Sequence, residues 1–250
     1  MKRIIFLIIS FVVLLNTVFG QDSRFTKANA LFQDGKFEEA KSGYLDILKT
    51  GVQSPELYYN LGNAYYKLGE LPFAIINYER ARLLSPSDED IKANLDLSNS
   101  QIVDKITPLG EFFLAGWITS LRDSKDSDSW AIWAVITFFL TLGCIGSFFF
   151  VNNSVVKRVA FSAGILLLLI NIFSFSFASA QKNKLTSHSN AIVFSPTVTV
   201  KSSPDLTGSD LFILHEGTKV SILRMLGSWA EIRLKDGNVG WLPKDSFEVI

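Results

Sequence analysis

The sequence predicts a multi-domain membrane protein in three parts: an all-α helix–turn–helix array, a two-helix transmembrane hairpin and a small all-β domain. Three observations carry this. Residues 130–151 and 159–180 are apolar runs with no charged side chain, and at 1.5 Å rise per residue about 20 such residues cross a bilayer as a helix. Before them the chain repeats itself at an offset of 34 residues, a period of helix–turn–helix arrays. After them come short alternating segments separated by Pro, Gly, Asp and Ser, the pattern of strands and turns.

Composition narrows the chemistry. The chain has 250 residues, 48% of them hydrophobic, with 24 basic and 24 acidic side chains. That balance argues against a nucleic-acid partner, which leaves a basic footprint. Residues 21–128 hold 12 basic and 17 acidic side chains without a long block of one sign, as expected of solvated helix surface. The only cysteine, Cys144, lies inside the first apolar run. No intrachain disulfide can form, and the thiol reads as a small packing residue.

At the start, Lys2 and Arg3 precede an apolar core from Ile4 to Leu15, and Val18 and Gly20 take the −3 and −1 positions of a cut before Gln21. Residues 1–20 therefore read as a signal peptide, with an uncleaved anchor helix as the other possibility. Either form exports the segment that follows.

Residues 55–88, PELYYNLGNAYYKLGELPFAIINYERARLLSPSD, place Tyr58, Leu61, Gly62 and Tyr65 at i, i+3, i+4 and i+7, one helical face. Gly69 stands in the turn, Ala74, Tyr78 and Ala81 form the facing stripe, and Pro86 ends the second helix. This segment resembles the tetratricopeptide repeat. Residues 21–54 are a degenerate copy with Ala28, Leu31, Gly35, Phe37, Ala40 and Tyr44 in register. Residues 89–103 read as a capping helix, with Asp88 as N-cap and Ile91, Leu95, Ser98 and Ile102 on one face. Two units and a cap are a minimum for such a stack, so support from self-association or from the membrane is expected.

The resemblance implies a peptide-binding groove lined by the first helix of each unit. Its positions fall on Glu56, Tyr59, Asn63, Tyr66 and Lys67, and one unit earlier on Asp22, Phe25, Asn29, Phe32 and Gln33. The aromatic rings would supply area, and Asn63 and Asn29 would bond a peptide backbone.

Residues 104–129 form a juxtamembrane linker. Its LGEFFLAGWITSL core is too short to span, and Phe112, Phe113 and Trp117 suit either an interfacial helix or one packed on the repeat. The two spans follow, joined by a turn over 152–158. Lys157 and Arg158 in that turn are expected to hold it in the cytoplasm, with both ends of the hairpin on the opposite side.

After a linker at 181–189, the segment 190–250 offers strands at Ala191–Ser195, Thr197–Lys201, Leu211–His215, Thr218–Met225, Trp229–Leu234 and Asn238–Leu242. Asp236–Gly237 is a hairpin turn. With Glu216–Gly217, Trp229 and Gly240–Trp241, this string resembles the bacterial SH3-like domain. That implies a small closed barrel and recognition of cell-wall peptides, with Trp241, Trp229 and Phe194 as surface candidates. His188 and His215 have no neighbouring ligand spacing, so neither a metal nor a cofactor is expected.

No activated nucleophile, phosphate loop or metal set supports catalysis, and a non-enzyme is expected. The order of parts resembles the BatE-like proteins of the aerotolerance operon. This implies a multi-pass protein of the bacterial inner membrane, with repeats and SH3-like domain in the periplasm. It also implies partners among the operon's von Willebrand-type membrane proteins, and a scaffold role in aerotolerance or envelope stress. The other expected reading is a cell-wall sensor acting through the SH3-like domain.

Overall fold

The computed structural model describes residues 23–108, 110 and 112–250. The expected signal peptide, its expected cut before Gln21 and the groove candidate Asp22 lie outside the described residues. The chain forms two compact units, Met1–Val52 and Gln53–Ile250.

In the first unit, α1 (Ser23–Gln33) and α2 (Phe37–Leu48) form a helical hairpin. Gly35 makes the turn at φ 78°, with Gly35 N–H donating to Phe32 O and Lys36 N–H to Leu31 O. These bonds satisfy the last carbonyls of α1 and stop the helix. Gly43 lets the helices meet, because a Cβ there would lie 3.1 Å from Ala28 Cβ. The Tyr44 hydroxyl donates to Asn29 Oδ1 at 2.7 Å, and burial pushes its pKa up to about 12.

The second unit begins with α3 (Pro55–Lys67) and α4 (Leu71–Leu84). Ser54 caps α3 by accepting from Leu57 N–H at 3.1 Å, and Pro55 needs no partner at the first helical position. Gly69, at φ 79°, ends α3 with the same pair of bonds that Gly35 makes one repeat earlier. Next comes α5 (Glu89–Gln101), whose N-cap Asp88 accepts from Asp90 and Ile91 N–H.

An ordinary surface helix shows one apolar stripe. In contrast, α4 is buried around most of its circumference, at Ala74, Ile75, Ile76, Asn77, Tyr78, Glu79 and Ala81. It packs against α3, α5 and the start of the β-sheet. Its apolar cluster joins Ile75, Ile76 and Tyr78 to Leu95 of α5 and to Ile192 and Ile250 of the sheet region.

The sheet contains β1 (Asn190–Val193), β2 (Thr197–Lys201), β3 (Asp210–His215), β4 (Lys219–Leu226), β5 (Trp229–Arg233), β6 (Val239–Pro243) and β7 (Phe247–Val249). All neighbours are antiparallel, in the order β3-β2-β6-β5-β4-β1-β7. Bulges at Val200/Lys201 and Ile222/Arg224 bend it. Its core holds Ala191, Val193, Val200, Val220, Ile232 and Leu242.

Between repeat and sheet lie α6 (Phe113–Arg122), α7 (Ser127–Phe150) and α8 (Ser154–Thr186). The last two form an antiparallel hairpin. Asn171 Nδ2 donates to Ala134 O and Thr137 Oγ1 across it, and Trp130 meets Phe177 edge-on at 5.1 Å. Both helices are long and apolar enough to cross a membrane, by length and composition. Only 17% and 11% of their most apolar windows are buried.

These findings correct the fold class read from the sequence. The C-terminal sheet is open, with β3 and β7 as unpaired edges, so the SH3-like barrel is absent. The transmembrane hairpin reduces, as a structural statement, to two long apolar helices in antiparallel contact. Asn153 caps α8 by accepting from Val155 and Val156 N–H. Lys157 and Arg158 therefore stand in the first turns of α8, not in a seven-residue turn. Within the second unit the repeat at 55–88 and the sheet pack together, because α4 is buried against both.

Candidate partner-binding face

Of the residues expected to line a groove, Phe25, Asn29, Phe32 and Gln33 fall on α1 of the first unit, and Glu56, Tyr59, Asn63, Tyr66 and Lys67 fall on α3. Glu56 and Lys67 are exposed at its two ends, with Tyr59, Asn63 and Tyr66 half-buried between them. A neighbouring helix engages these three. Asn94 Nδ2 of α5 donates to the Tyr59 hydroxyl at 3.0 Å and to Asn63 Oδ1 at 2.9 Å. Gln101 Nε2 donates to the Tyr66 hydroxyl at 2.6 Å. Each tyrosine oxygen therefore accepts from within the chain and keeps its own proton to donate.

Asn63 has a second internal role. Its Oδ1 accepts from the Tyr78 hydroxyl at 2.7 Å, the bond that Tyr44 makes to Asn29 one period earlier in the other unit. The two asparagines expected to bond a peptide backbone are thus acceptors for a tyrosine of their own hairpin. Burial raises the Tyr78 pKa strongly, with Tyr59 and Tyr66 adding to it, so the phenol stays a donor at neutral pH. Gly62 admits the Tyr78 ring, since a Cβ there would lie 2.7 Å from Cδ1 and Cε1.

Sequence reasoning missed the polar junction between α4 and the sheet. Glu79 accepts from Lys219 Nζ at 2.8 Å and from Arg82 Nη2 at 2.7 Å, while its side chain is 6% exposed. Burial alone would raise its pKa, but Lys219 and Arg82 outweigh that and hold it below the ordinary carboxylate range. Arg80 donates to Glu248 Oε1 and Val249 O. Phe73 stacks on Phe194 at 6.1 Å.

Asp104 continues the junction. It accepts from His215 N–H and Thr218 Oγ1, each at 2.7 Å, and faces His215 Nδ1 at 2.8 Å. Burial opposes its ionisation, yet these bonds together hold its pKa below the usual value. The sequence signal for this was a lone acid after α5 and a histidine at a strand end, 111 residues apart. Nothing local links them.

The aromatic candidates of the sheet are not a surface. Trp229 and Trp241 are 9% and 6% exposed, and the Arg224 guanidinium covers the Trp241 ring at 5.0 Å. Phe194 belongs to the contact with Phe73. Among the described residues, no group of three or more His, Cys, Asp or Glu side chains is placed to hold a metal ion.

Residues 55–88 match the family model of the tetratricopeptide repeat. No curated protein matches the chain. Tetratricopeptide architecture is that of a non-catalytic protein-interaction module. The matched segment does not extend to a BatE-like protein, and the open sheet removes the SH3-like part of that resemblance. The aerotolerance role, the periplasmic scaffold and the cell-wall sensor lose their basis with it.

Proposed function

We propose that this chain is a protein-binding module held at a membrane by its helical hairpin, with α3 as the binding face. The observation that carries the reading is the pair of tyrosine hydroxyls on α3. Asn94 and Gln101 hold Tyr59 and Tyr66 by donating to them, which leaves two O–H donors on one face of α3 between the exposed charges of Glu56 and Lys67. Their complement is a protein segment offering carbonyl or carboxylate oxygens across one helix length. Preorganised donors lose little conformational entropy on binding.

The membrane part rests on apolar surface. Phe139, Phe149, Phe161, Leu166 and Phe175 all face outward from the hairpin, while Thr137, Thr141 and Ser174 turn inward. That is the reverse of a helix pair in water and the arrangement lipid favours. Both ends of the hairpin meet at one level, where Lys184 pairs with Asp123 at 2.7 Å and Trp130 donates to Arg122 O. The repeat and the sheet would then share one side of the bilayer. Lys157 and Arg158 at the far end favour the cytoplasm for that end, which supports the opposite side for repeat and sheet.

Site-specific photo-crosslinking in cells tests the binding face. A photoreactive residue at Glu56 or Lys67 is expected to give a discrete adduct with another protein, lost when Tyr59→Phe and Tyr66→Phe are combined. Adducts no different from those at Leu206, an exposed position of the sheet region, would overturn the reading.

A further inference from the structure

Helix α6 has no buried residue. Phe113 and Trp117 are 77% and 61% exposed, and Phe112, Leu114, Ile118 and Leu121 are exposed as well. At 100° per residue, Phe113, Trp117, Leu121, Leu114 and Ile118 fall within an arc of about 140°. Ala115, Gly116, Thr119 and Ser120 occupy the other side. A helix packed on the repeat would bury its apolar arc, and this one does not.

The position of α6 says what could cover that arc. Its last residue, Arg122, offers its carbonyl to Trp130 Nε1 at 2.9 Å and to Gln181 Nε2 at 3.1 Å. Gln181 Nε2 also donates to Lys125 O at 3.0 Å, and Asp123 beside it takes Lys184. This polar collar closes the mouth of the α7–α8 hairpin, where its apolar surface stops. Helix α6 is therefore fastened at the level of the boundary between lipid and water. Its exposed side chains are large, uncharged and partly aromatic, the composition favoured at that depth.

We infer that α6 lies in the plane of the bilayer surface, with the Phe113–Trp117–Leu121 arc sunk among the upper acyl carbons. The occupant of the exposed face is lipid. The helix thus acts as a float that fixes the height of the repeat and sheet above the membrane. This rests on the hairpin reading above, and the test separates the two.

The full chain, with Cys144→Ala, receives single cysteines carrying an environment-sensitive fluorophore and is placed in phosphatidylcholine vesicles containing nitroxide lipids. The sites are Trp117→Cys and Leu121→Cys on the arc, Ala115→Cys on the other side of α6, and Leu169→Cys in the hairpin. A nitroxide near the glycerol is expected to quench the two arc sites roughly twofold more than one at the acyl terminus. Ala115 should be quenched less than either arc site, and Leu169 most strongly by the deep nitroxide. Unquenched arc sites beside a quenched Leu169 would overturn the inference and assign the face to a protein or a second copy, leaving the hairpin reading intact. Arc sites quenched most by the deep nitroxide would also overturn it, since α6 would then be part of a span. If neither nitroxide reaches Leu169, the hairpin reading fails and takes this one with it.

Discussion

Lys219 of the sheet reaches Glu79 of the repeat across 2.8 Å, and Arg82 closes on the same carboxylate. Glu79→Gln removes the one acid that compensates both cations. Breaking a buried pair leaves an uncompensated charge, and the partial exposure of Arg82 softens the loss. The expected destabilisation is about 3 kcal/mol at pH 7, read by chemical unfolding in detergent. The pKa of Glu79 is depressed on folding, so its contribution is present above the unfolded value. It is lost as pH falls below 4.5 and through the folded value. The gap between wild type and Glu79→Gln should therefore narrow in acid.

Gly62→Ala and Gly43→Ala separate close approach from helix propensity. A methyl at Gly62 meets the ring of fully buried Tyr78 at 2.7 Å. The overpacking exceeds the gain of about 1 kcal/mol in propensity, and a net loss of about 2 kcal/mol is expected. At Gly43 the nearest atom is the Ala28 methyl at 3.1 Å. Relief there is small and local, and the change should lie within about 1 kcal/mol of zero.

How much of this could be read in the sequence depends on whether the partner was nearby in the chain. The repeat at 55–88 was legible because small and aromatic residues recur at fixed offsets within it. Strands β1 to β6 were marked by alternation and turn residues, but β7 is three residues long and follows Pro243 too closely to show alternation. The opening of the sheet was hidden for a different reason: pairing of its edges is a property of distant strands. Burial of Glu79 went unseen because a charge on a helix normally signals solvent. For Tyr59 and Tyr66 a clue existed, since Asn94 and Gln101 each follow by 35 residues, about one repeat period further on.

Asp104→Ala should release the segment after α5 from the sheet. It removes the acceptor for His215 N–H and Thr218 Oγ1, at about 1–3 kcal/mol for buried donors left without a partner. Limited proteolysis should then cut within 105–112 at protease concentrations that leave the wild type intact. The depressed Asp104 pKa gives the same sign as Glu79: stabilisation above pH 3.8, lost as pH falls through the folded value.

Topology has its own readout. With Cys144→Ala, single cysteines at Lys67 and Leu206, both exposed, should react with a membrane-impermeant maleimide in cells whose outer barrier alone has been opened. Labelling of either only after full lysis would place it in the cytoplasm.

Whether repeat and sheet form one body, joined through α4, is tested most directly by native-state hydrogen exchange across a denaturant series on the full chain in detergent. Amides of Ile75, Ile76 and Tyr78 in α4 should exchange with the same free energy and denaturant slope as those of Ala230 and Ile232 in β5. Exchange of the α4 amides through a separate, cheaper opening while β5 stays protected would contradict the shared core.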